Sequence, residues 1–236
     1  MTLRVSRVDW RPCWRVLPSR FPPVPLFERV VDPADLDAVL EVEALTNPRA
    51  RTEVGALHLV APDERVSGPG TSVVMAAFTH VNPEGSRFSD GSYGVFYAGW
   101  ALETAVAESK HHRERFLRAT RQRRIEVDMS AYGLDLVGDL QDLRGRRSDY
   151  PEVHAANDHC AGRRLATGLR EDGANGIVYE SVRHPGGECA AVFRPKLLSR
   201  VRRTRRLCFV WDGREIAWIY EKRFLSAGGR RHDPRR

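Results

Sequence analysis

The sequence predicts a mixed α/β fold in which short, mainly antiparallel strands form small split sheets flanked by helices. Three patterns support this class. Asp32 and Pro33 mark the start of a capped helix, and apolar residues at helical spacing mark a second helix after Tyr97. Near the end of the chain, two apolar runs flank an Asp212-Gly213 pair, which is typical of a β-hairpin turn.

The N-terminal region is expected to contain one short strand and one helix. Five prolines in residues 1–31 argue against a long element there, so only Val16 and Leu17 are expected to form a strand, with Arg15 beside them. A helix is expected near 33–45, before the Asn47-Pro48 pair that ends it. Its predicted buried stripe consists of Leu36, Val39, Leu40 and Ala44.

A central stretch over residues 85–112 combines a loop, a strand and a helix. The polar, glycine-rich loop carries Arg87, the short apolar strand ends at Tyr97, and the helix that follows carries Glu108. Helical spacing from the preceding alanines puts Glu108 on the apolar face of that helix. Burying an unpaired carboxylate costs on the order of several kcal/mol. We therefore expect a cation or a polar ligand to meet Glu108.

Further elements are expected in the C-terminal half. Alternation predicts a half-buried strand at 125–129, and apolar runs bounded by glycines predict strands at 176–182 and 189–193. A helix is expected at 157–169. Residues 133–156 contain few such signals, so they are expected to be loop-rich.

The chain is expected to end in a hairpin and a tail. A two-residue turn at Asp212-Gly213 would pair Phe209 with Ile216 and Leu207 with Trp218. The Gly- and Arg-rich residues 226–236 are expected to be disordered.

Neither an internal repeat nor a linker divides the sequence. We therefore expect one domain over residues 1–225, with a core at about 72–220. Residues 1–71 would form an N-terminal extension whose helix packs on that core.

Composition favours a protein of the cytoplasm. The chain has 236 residues, 42% of them hydrophobic, and contains no apolar run long enough to span a membrane. The first residues lack the apolar segment of a signal peptide, so the protein is expected to be cytoplasmic. Four scattered cysteines fit reduced thiols, and the histidine spacing predicts no metal site.

The positive charge does not by itself predict nucleic-acid binding. The formal net charge is +7, and arginines cluster at 113–124, 200–206 and 230–236. Only three of the 38 basic residues are lysines, a bias that fits a GC-rich genome. No zinc finger, recognition helix or RNP-type motif accompanies the clusters. A solvated basic face is therefore the favoured interpretation.

Several polar side chains are expected to meet at the ends of elements. Arg15, Arg87, Tyr97 and Ser181 end strands or lie in loops, whereas a helix delivers Glu108. Arginines suit bidentate contacts to phosphate, and tyrosine offers a stacking face. A carboxylate beside them can bind a ribose hydroxyl and stabilise an oxocarbenium-like transition state. The set indicates a ligand that combines phosphate, sugar and an aromatic ring.

The motifs GSRF, VFYAG, ETAVAES, GIVYESVRHPGG and AVF follow one another in an order that resembles the RES domain, a family named for its Arg, Glu and Ser. The resemblance runs from about Gly85 to Phe193 and extends back towards Trp14. It implies a fold similar to that of the ADP-ribosyltransferases and an enzyme that uses NAD as co-substrate. Such enzymes cleave the nicotinamide–ribose bond and pass ADP-ribose to water, phosphate or a protein.

The resemblance assigns roles to four residues by motif. Arg87 matches the arginine of the family's glycine-rich loop and would hold the pyrophosphate. Tyr97 would stack on or orient the nicotinamide end. Glu108 would bind the nicotinamide-side ribose and stabilise the developing cation. Ser181 would hydrogen-bond the ribose or the nicotinamide amide.

Three further positions follow from the resemblance. Arg15, in CWRV, matches an N-terminal arginine that would also hold the pyrophosphate, and Arg20 competes with it for that role. His184 could assist an acceptor, although a loop histidine beside a proline is also expected to be simply solvated.

The resemblance also implies a biological setting. RES proteins are toxins of bacterial type II toxin–antitoxin pairs whose antitoxins carry an Xre-like helix-turn-helix. We expect such an antitoxin to block the NAD cleft and to supply the only contact with nucleic acid. The PSRFPP segment is similar to that of a subgroup described as modifying a phosphoribosyl pyrophosphate synthetase. The acceptor stays open between a protein, phosphate and water.

One rival interpretation belongs to another class. Each candidate residue taken alone has a structural explanation, such as a surface ion pair for Arg87 or a helix salt bridge for Glu108. In that case the chain would be a basic nucleic-acid- or partner-binding module without catalysis. Release of nicotinamide from NAD distinguishes the two, because nucleic-acid binding depends steeply on salt and does not consume NAD.

Overall fold

The computed structural model describes residues 3–19, 26–30, 32–46, 52 and 54–223. The strands of this part of the chain are β1 (Arg4–Pro18), β2 (Phe96–Gly99), β3 (Ile125–Asp142), β4 (Gly176–Glu180), β5 (Glu188–Val192), β6 (Leu198–Trp211) and β7 (Ile216–Glu221). The α-helices are α1 (Leu26–Arg29), α2 (Leu36–Thr46), α3 (Thr71–Thr79), α4 (Leu102–Ala119) and α5 (Cys160–Glu171).

The strands join in one sheet that closes partly on itself. Their order is β1-β2-β5-β4-β3-β6-β7, and β1 also pairs with β3, so that five strands form a ring and β6 and β7 extend from it. The β3–β4 pair is parallel, and the other pairs are antiparallel. The predicted mixed α/β class is confirmed. In detail, the strands form one continuous sheet rather than separate small sheets.

β1 is much longer than the short strand expected around Val16. It spans 15 residues and pairs with β3 almost throughout its length. Pro12 lies where the pairing register shifts between Trp10 and Cys13, so its missing N–H falls at an irregularity in the ladder. The prediction that the prolines limit this region to a short strand was wrong, because β1 accommodates Pro12 at this irregularity.

β3 also extends beyond its expected end at residue 129. It continues to Asp142, through part of the segment that was expected to be loop-rich. Residues 129–136 are all buried, because other elements cover both faces of the strand. A strand buried on both faces loses the alternation that identifies strands in a sequence, and Gly133 and Gly138 strengthen the impression of a loop.

The C-terminal hairpin exists, but its predicted register was wrong. Trp211 pairs with Ile216, and Phe209 pairs with Ile219. The turn is longer than two residues because the Asp212 carboxylate accepts hydrogen bonds from the backbone N–H groups of Arg214 (2.7 Å) and Glu215 (2.9 Å). This local network selects a longer loop over the two-residue Asp-Gly turn.

The expected helices are present with small shifts. The Asp32 side chain accepts a hydrogen bond from Ala34 N at 2.9 Å and so opens the 3-10 turn that leads into α2. α4 runs from Leu102 to Ala119, and α5 begins at Cys160. The tail at 226–236 lies outside the described residues, and the domain limits stay a prediction.

α4 is fixed to the sheet by its apolar face. Ala105 and Leu117 pack in a buried cluster with Val16 and Met129. The Ser109 hydroxyl donates a hydrogen bond to the Val16 carbonyl at 3.0 Å. These contacts align α4 with the C-terminal half of β1. Within the described residues, no helix combines the length and apolar character that crossing a membrane would need.

Gly99 controls how closely β2 approaches the start of α4. A Cβ atom at Gly99 would lie 2.7 Å from Ala105 N and 3.1 Å from Ala101 O, both backbone atoms that cannot rotate away. We therefore expect Gly99→Val to lower the free energy of unfolding by about 1–3 kcal/mol, as overpacking typically does. Urea denaturation measures this change.

A matched control is Gly168→Ala in α5, where a Cβ atom would meet nothing within 4 Å. Because alanine is favoured in helices, this variant should be neutral or gain up to about 1 kcal/mol. Equal stabilities of the two variants would contradict the close approach at Gly99.

Candidate active site

A cleft of about 650 Å³ lies between β1, β2 and α4 and is bordered by the loops at 82–87 and 156–159. This volume is within the usual range for a small-molecule site. Of the residues that sequence reasoning singled out, Arg15, Arg87, Tyr97 and Glu108 line the cleft. Ser181 lies behind Glu108, and Arg20 lies outside the described residues.

The two oxygens of the Glu108 carboxylate differ in their contacts. The Ser181 hydroxyl donates a hydrogen bond of 2.7 Å to Glu108 Oε1, and the Cys189 thiol lies 3.9 Å from the same oxygen. Oε2 of Glu108 has no hydrogen-bond partner among the described residues. Glu108 also forms no ion pair within the described part of the chain, so the explanation of a helix salt bridge fails. The carboxylate is therefore oriented but not neutralised.

Ser181 has its hydroxyl fixed by the turn after β4. Its oxygen accepts hydrogen bonds from the backbone N–H groups of Arg183 (3.1 Å) and His184 (2.9 Å). Because both acceptor positions are used, the hydroxyl proton is directed to Glu108. Ser181 is 4% exposed, so it acts on the carboxylate and does not face the cleft directly.

Backbone carbonyls, and not carboxylates, hold the Arg87 side chain in place. One guanidinium nitrogen, Nη1, donates to the carbonyls of Val153 and Ala155, each at 2.8 Å. Its other nitrogens bond to none of the described residues. The ion pair with Asp90 or Glu84 that would explain Arg87 structurally is not formed.

Tyr97 positions both cleft arginines that sequence reasoning identified. Its hydroxyl accepts a hydrogen bond from Phe88 N at 2.9 Å and pairs with Ser86 Oγ at 2.7 Å, on the two sides of Arg87. Its carbonyl accepts a hydrogen bond from Arg15 Nη1 at 3.1 Å. Burial raises the pKa of the Tyr97 phenol to about 12, so the group stays neutral. A direct contact of its ring with nicotinamide stays a prediction.

Arg15 lies in the floor of the cleft. Its guanidinium carbon is 4.4 Å from the centre of the Phe96 ring, and its Nε is buried without a partner. Burial lowers its pKa to about 10, which still leaves a cation at neutral pH. His184 faces elsewhere: its Nδ1 is 2.9 Å from Thr104 Oγ1, at the start of α4.

The structure adds cationic side chains that sequence reasoning missed. Four further arginines line the cleft, at positions 113, 115, 163 and 183, together with histidines at 111, 112 and 159. Helical spacing from Glu108 could have indicated His112 and Arg115. Arg163 on α5 and the loop residues Arg183 and His159 gave no such signal. None of the six cleft arginines forms a salt bridge within the described residues, and only Glu84 and Glu108 line the cleft as carboxylates.

Burial, and after it the nearby arginines, lower the pKa values of two cleft histidines. The pKa of His111 falls to about 4, mainly because of burial and then because of Arg183. The pKa of His159 also falls to about 4, through burial followed by Arg87 and Arg163. Both imidazoles are therefore neutral at physiological pH. A cleft with several unpaired guanidinium groups and one oriented carboxylate can bind a polyanion and stabilise a positive charge next to Glu108.

The first prediction for this site concerns pH. Because these histidines titrate near 6.5 when unperturbed, the unfolded chain binds more protons than the folded chain between about pH 6.5 and 4. Stability should therefore fall as the pH falls through this window. The double variant His111→Gln/His159→Gln should show a flatter dependence of melting temperature on pH, whereas His58→Gln, outside the cleft, should follow the wild type.

The second prediction concerns Tyr97. Tyr97→Phe removes the acceptor of the Phe88 N–H, and leaving such a group unpaired costs about 1–3 kcal/mol. We expect faster hydrogen exchange in the loop around Arg87 and a lower stability to urea. The control is Tyr150→Phe, because the Tyr150 hydroxyl bonds to none of the described residues. Unchanged exchange in the Arg87 loop of Tyr97→Phe would show that the hydroxyl does not hold this loop.

Comparison with known proteins agrees with the motifs. The chain is 33% identical over 207 residues to the uncharacterized protein y4oC of Sinorhizobium fredii, which covers 88% of this chain and 86% of the relative. A looser structural similarity exists to the MbcT–MbcA toxin–antitoxin complex of M. tuberculosis, with a TM-score of 0.44, 10% identity, and coverage of 88% of this chain and 87% of the other. That similarity is too low to carry an argument about function.

The family model of the RES domain matches residues 62–212, which include Arg87, Tyr97, Glu108 and Ser181. This match covers more than half of the chain, and the residues that the motifs align with the family's arginine, glutamate and serine lie within it. The chain belongs to the RES domain family.

Proposed function

We propose that this chain is the toxin of a type II toxin–antitoxin system and that it cleaves the nicotinamide–ribose bond of NAD. The observation that carries this proposal is the state of Glu108. Its carboxylate is oriented by Ser181 through a 2.7 Å hydrogen bond and forms no ion pair with any described residue, although six arginines line the same cleft. Membership of the RES family supports the choice of NAD.

The reaction assigns a separate task to each group. The two phosphates of NAD bind to guanidinium groups, of which Arg87 and Arg15 are the first candidates. Glu108 binds a hydroxyl of the nicotinamide-side ribose through Oε2, the oxygen that Ser181 leaves free. Ser181 and Tyr97 then act as positioning residues, because Ser181 orients Glu108 and Tyr97 holds both arginines.

Bond cleavage then follows from charge stabilisation. The bond between the ribose carbon and the nicotinamide nitrogen breaks, and its electron pair stays on nicotinamide, which leaves as a neutral molecule. The positive charge that develops on the ribose is stabilised by the Glu108 carboxylate. A nucleophile then attacks the ribose carbon; phosphate attacks through an anionic oxygen, whereas water or a protein acceptor gives up a proton, for which Glu108 is the candidate base.

The acceptor of ADP-ribose is a protein, phosphate or water. A protein acceptor makes the chain an ADP-ribosyltransferase, whereas phosphate or water makes it an NAD phosphorylase or glycohydrolase. A phosphoribosyl pyrophosphate synthetase is one candidate acceptor, which the PSRFPP segment suggested. Incubation with NAD in the presence and absence of phosphate and of host lysate, followed by mass spectrometry, identifies the product.

The partner would be an Xre-like antitoxin that blocks the cleft. Six arginines without carboxylate partners give the cleft a strongly positive potential, so an acidic segment or a C-terminal carboxylate fits it. Such a segment would compete with NAD for the same guanidinium groups.

The decisive test is Glu108→Gln. This variant keeps the size of the side chain and an oxygen that can accept the Ser181 hydrogen bond but removes the negative charge, so we expect nicotinamide release from NAD to fall by about 10²–10³-fold or more. Release of nicotinamide is followed by chromatography, and circular dichroism checks the fold.

The matched control is Glu103→Gln, which makes the same chemical change on an exposed turn of the same helix. We expect this variant to keep the wild-type rate. Full NAD cleavage by a folded Glu108→Gln protein would refute the mechanism. Absence of nicotinamide release by the wild type, with and without phosphate, would refute the enzymatic proposal as a whole.

A further inference from the structure

α4 runs along the cleft well beyond Glu108. Arg113, Phe116 and Ala119 continue the lining in the C-terminal half of the helix. At 1.5 Å per residue, Arg113 lies about 7.5 Å beyond Glu108 along the helix axis, and Phe116 lies about 12 Å beyond it. The helix therefore presents a carboxylate, a guanidinium and a phenyl ring in that order.

Phe116 is the exposed aromatic ring of the cleft. It is 54% exposed, whereas Tyr179, another aromatic residue of the lining, is 5% exposed. Trp14 and Tyr97 also line the cleft, but each packs against a buried cluster. The phenyl ring of Phe116 therefore has open surface on which a planar group can stack.

Arg113 has a guanidinium that no carboxylate neutralises. Its carbon Cζ is 5.2 Å from the centre of the Phe116 ring, and its Nε is buried without a partner. Glu114, the acidic residue next to it, pairs instead with Lys110 and Arg118. Its two terminal nitrogens also bond to none of the described residues, so they can donate to an anionic ligand in the cleft.

The opposite wall of this part of the cleft is apolar. Leu17 and Pro18 of β1 and Met129 of β3 line it, and Pro18 is paired with Met129 in the sheet. An exposed ring, an apolar wall and one unpaired guanidinium together suit an aromatic base that carries a phosphate.

We infer that the C-terminal half of α4 is an adenylate subsite, in which Phe116 stacks on the adenine and Arg113 binds the adjacent phosphate. This inference rests on the proposed function, because it places the second nucleotide of NAD relative to the ribose at Glu108. It sets a direction for the dinucleotide, with its adenine end towards Ala119. The loops at 82–87 and 156–159 then border the part of the cleft around Glu108, where the acceptor enters.

The subsite accounts for a preference for the dinucleotide. Nicotinamide mononucleotide contains the scissile bond but lacks the adenylate half, so it cannot contact both Phe116 and Glu108. Loss of the subsite should therefore lower kcat/KM for NAD far more than for nicotinamide mononucleotide, mainly through KM.

The experiment measures binding of AMP to the full chain by titration calorimetry, independently of catalysis. We expect AMP to bind the wild type, and Arg113→Gln and Phe116→Ala to weaken that binding about tenfold or more each, as expected for loss of a charge-assisted or stacking contact. Phe116→Tyr, which keeps a ring, should retain binding. Arg124→Gln removes an exposed arginine outside the cleft and should bind AMP as the wild type does. Inorganic phosphate is the second probe and should bind more weakly than AMP, because it lacks the base.

Three outcomes would overturn the inference: AMP fails to bind the wild type, AMP binds Arg113→Gln and Phe116→Ala as tightly as it binds the wild type, or phosphate alone binds as tightly as AMP. If AMP binds and the variants weaken it while the wild type releases no nicotinamide, the adenylate subsite stands and the proposed reaction fails. Conversely, NAD cleavage without AMP binding leaves the reaction standing and removes the subsite.

Discussion

The double pairing of β1 is the constraint on which the site depends. β1 pairs with β2 at Trp14 and Gly99, and it pairs with β3 along most of its length. This closure brings Arg15 next to the carbonyl of Tyr97 and leaves β2 directly before α4. α4 can then run along β1, where Ser109 bonds to Val16 at 3.0 Å. The pairing of β1 with both β2 and β3 therefore positions the floor of the cleft, at Arg15, and its wall, α4.

The second determinant of the site is the set of hydrogen bonds that the cleft arginines donate. Four of the six donate hydrogen bonds to backbone carbonyls instead of carboxylates: Arg15 to Tyr97, Arg87 to Val153 and Ala155, Arg163 to Glu84 and Ser86, and Arg183 to Ala156. A carbonyl fixes the direction of a guanidinium but leaves its net charge in place. The cleft therefore combines order with a positive potential, which a cleft built from ion pairs would not provide.

Local patterns predicted the parts of the site that lie close together in sequence. The helix of Glu108 and the strand of Tyr97 followed from spacing, and the resemblance supplied the link to Ser181. Arg163, Arg183 and His159 escaped prediction because the N-terminal end of α5 and the turn after β4, both distant in sequence from Glu108, bring them to the cleft. The length of β3 was hidden by its burial on both faces, and the hairpin register depended on the side chain of Asp212. Contacts between residues that are distant in sequence determine these features, and a short stretch of sequence does not contain them.

The carbonyl bonds of Arg87 and Arg183 have a consequence for the segment they hold. Arg87 bonds to the carbonyls of Val153 and Ala155, and Arg183 bonds to the carbonyl of Ala156, so both arginines hold the same short stretch. A phosphate that attracts either guanidinium competes with those carbonyls for the same N–H groups. Two of the guanidinium groups that line the cleft therefore also hold the loop at its border. A ligand that takes these N–H groups would release the loop from the arginines. Ligand binding and the order of the loop would then be linked by an exchange of hydrogen bonds, without movement of the sheet.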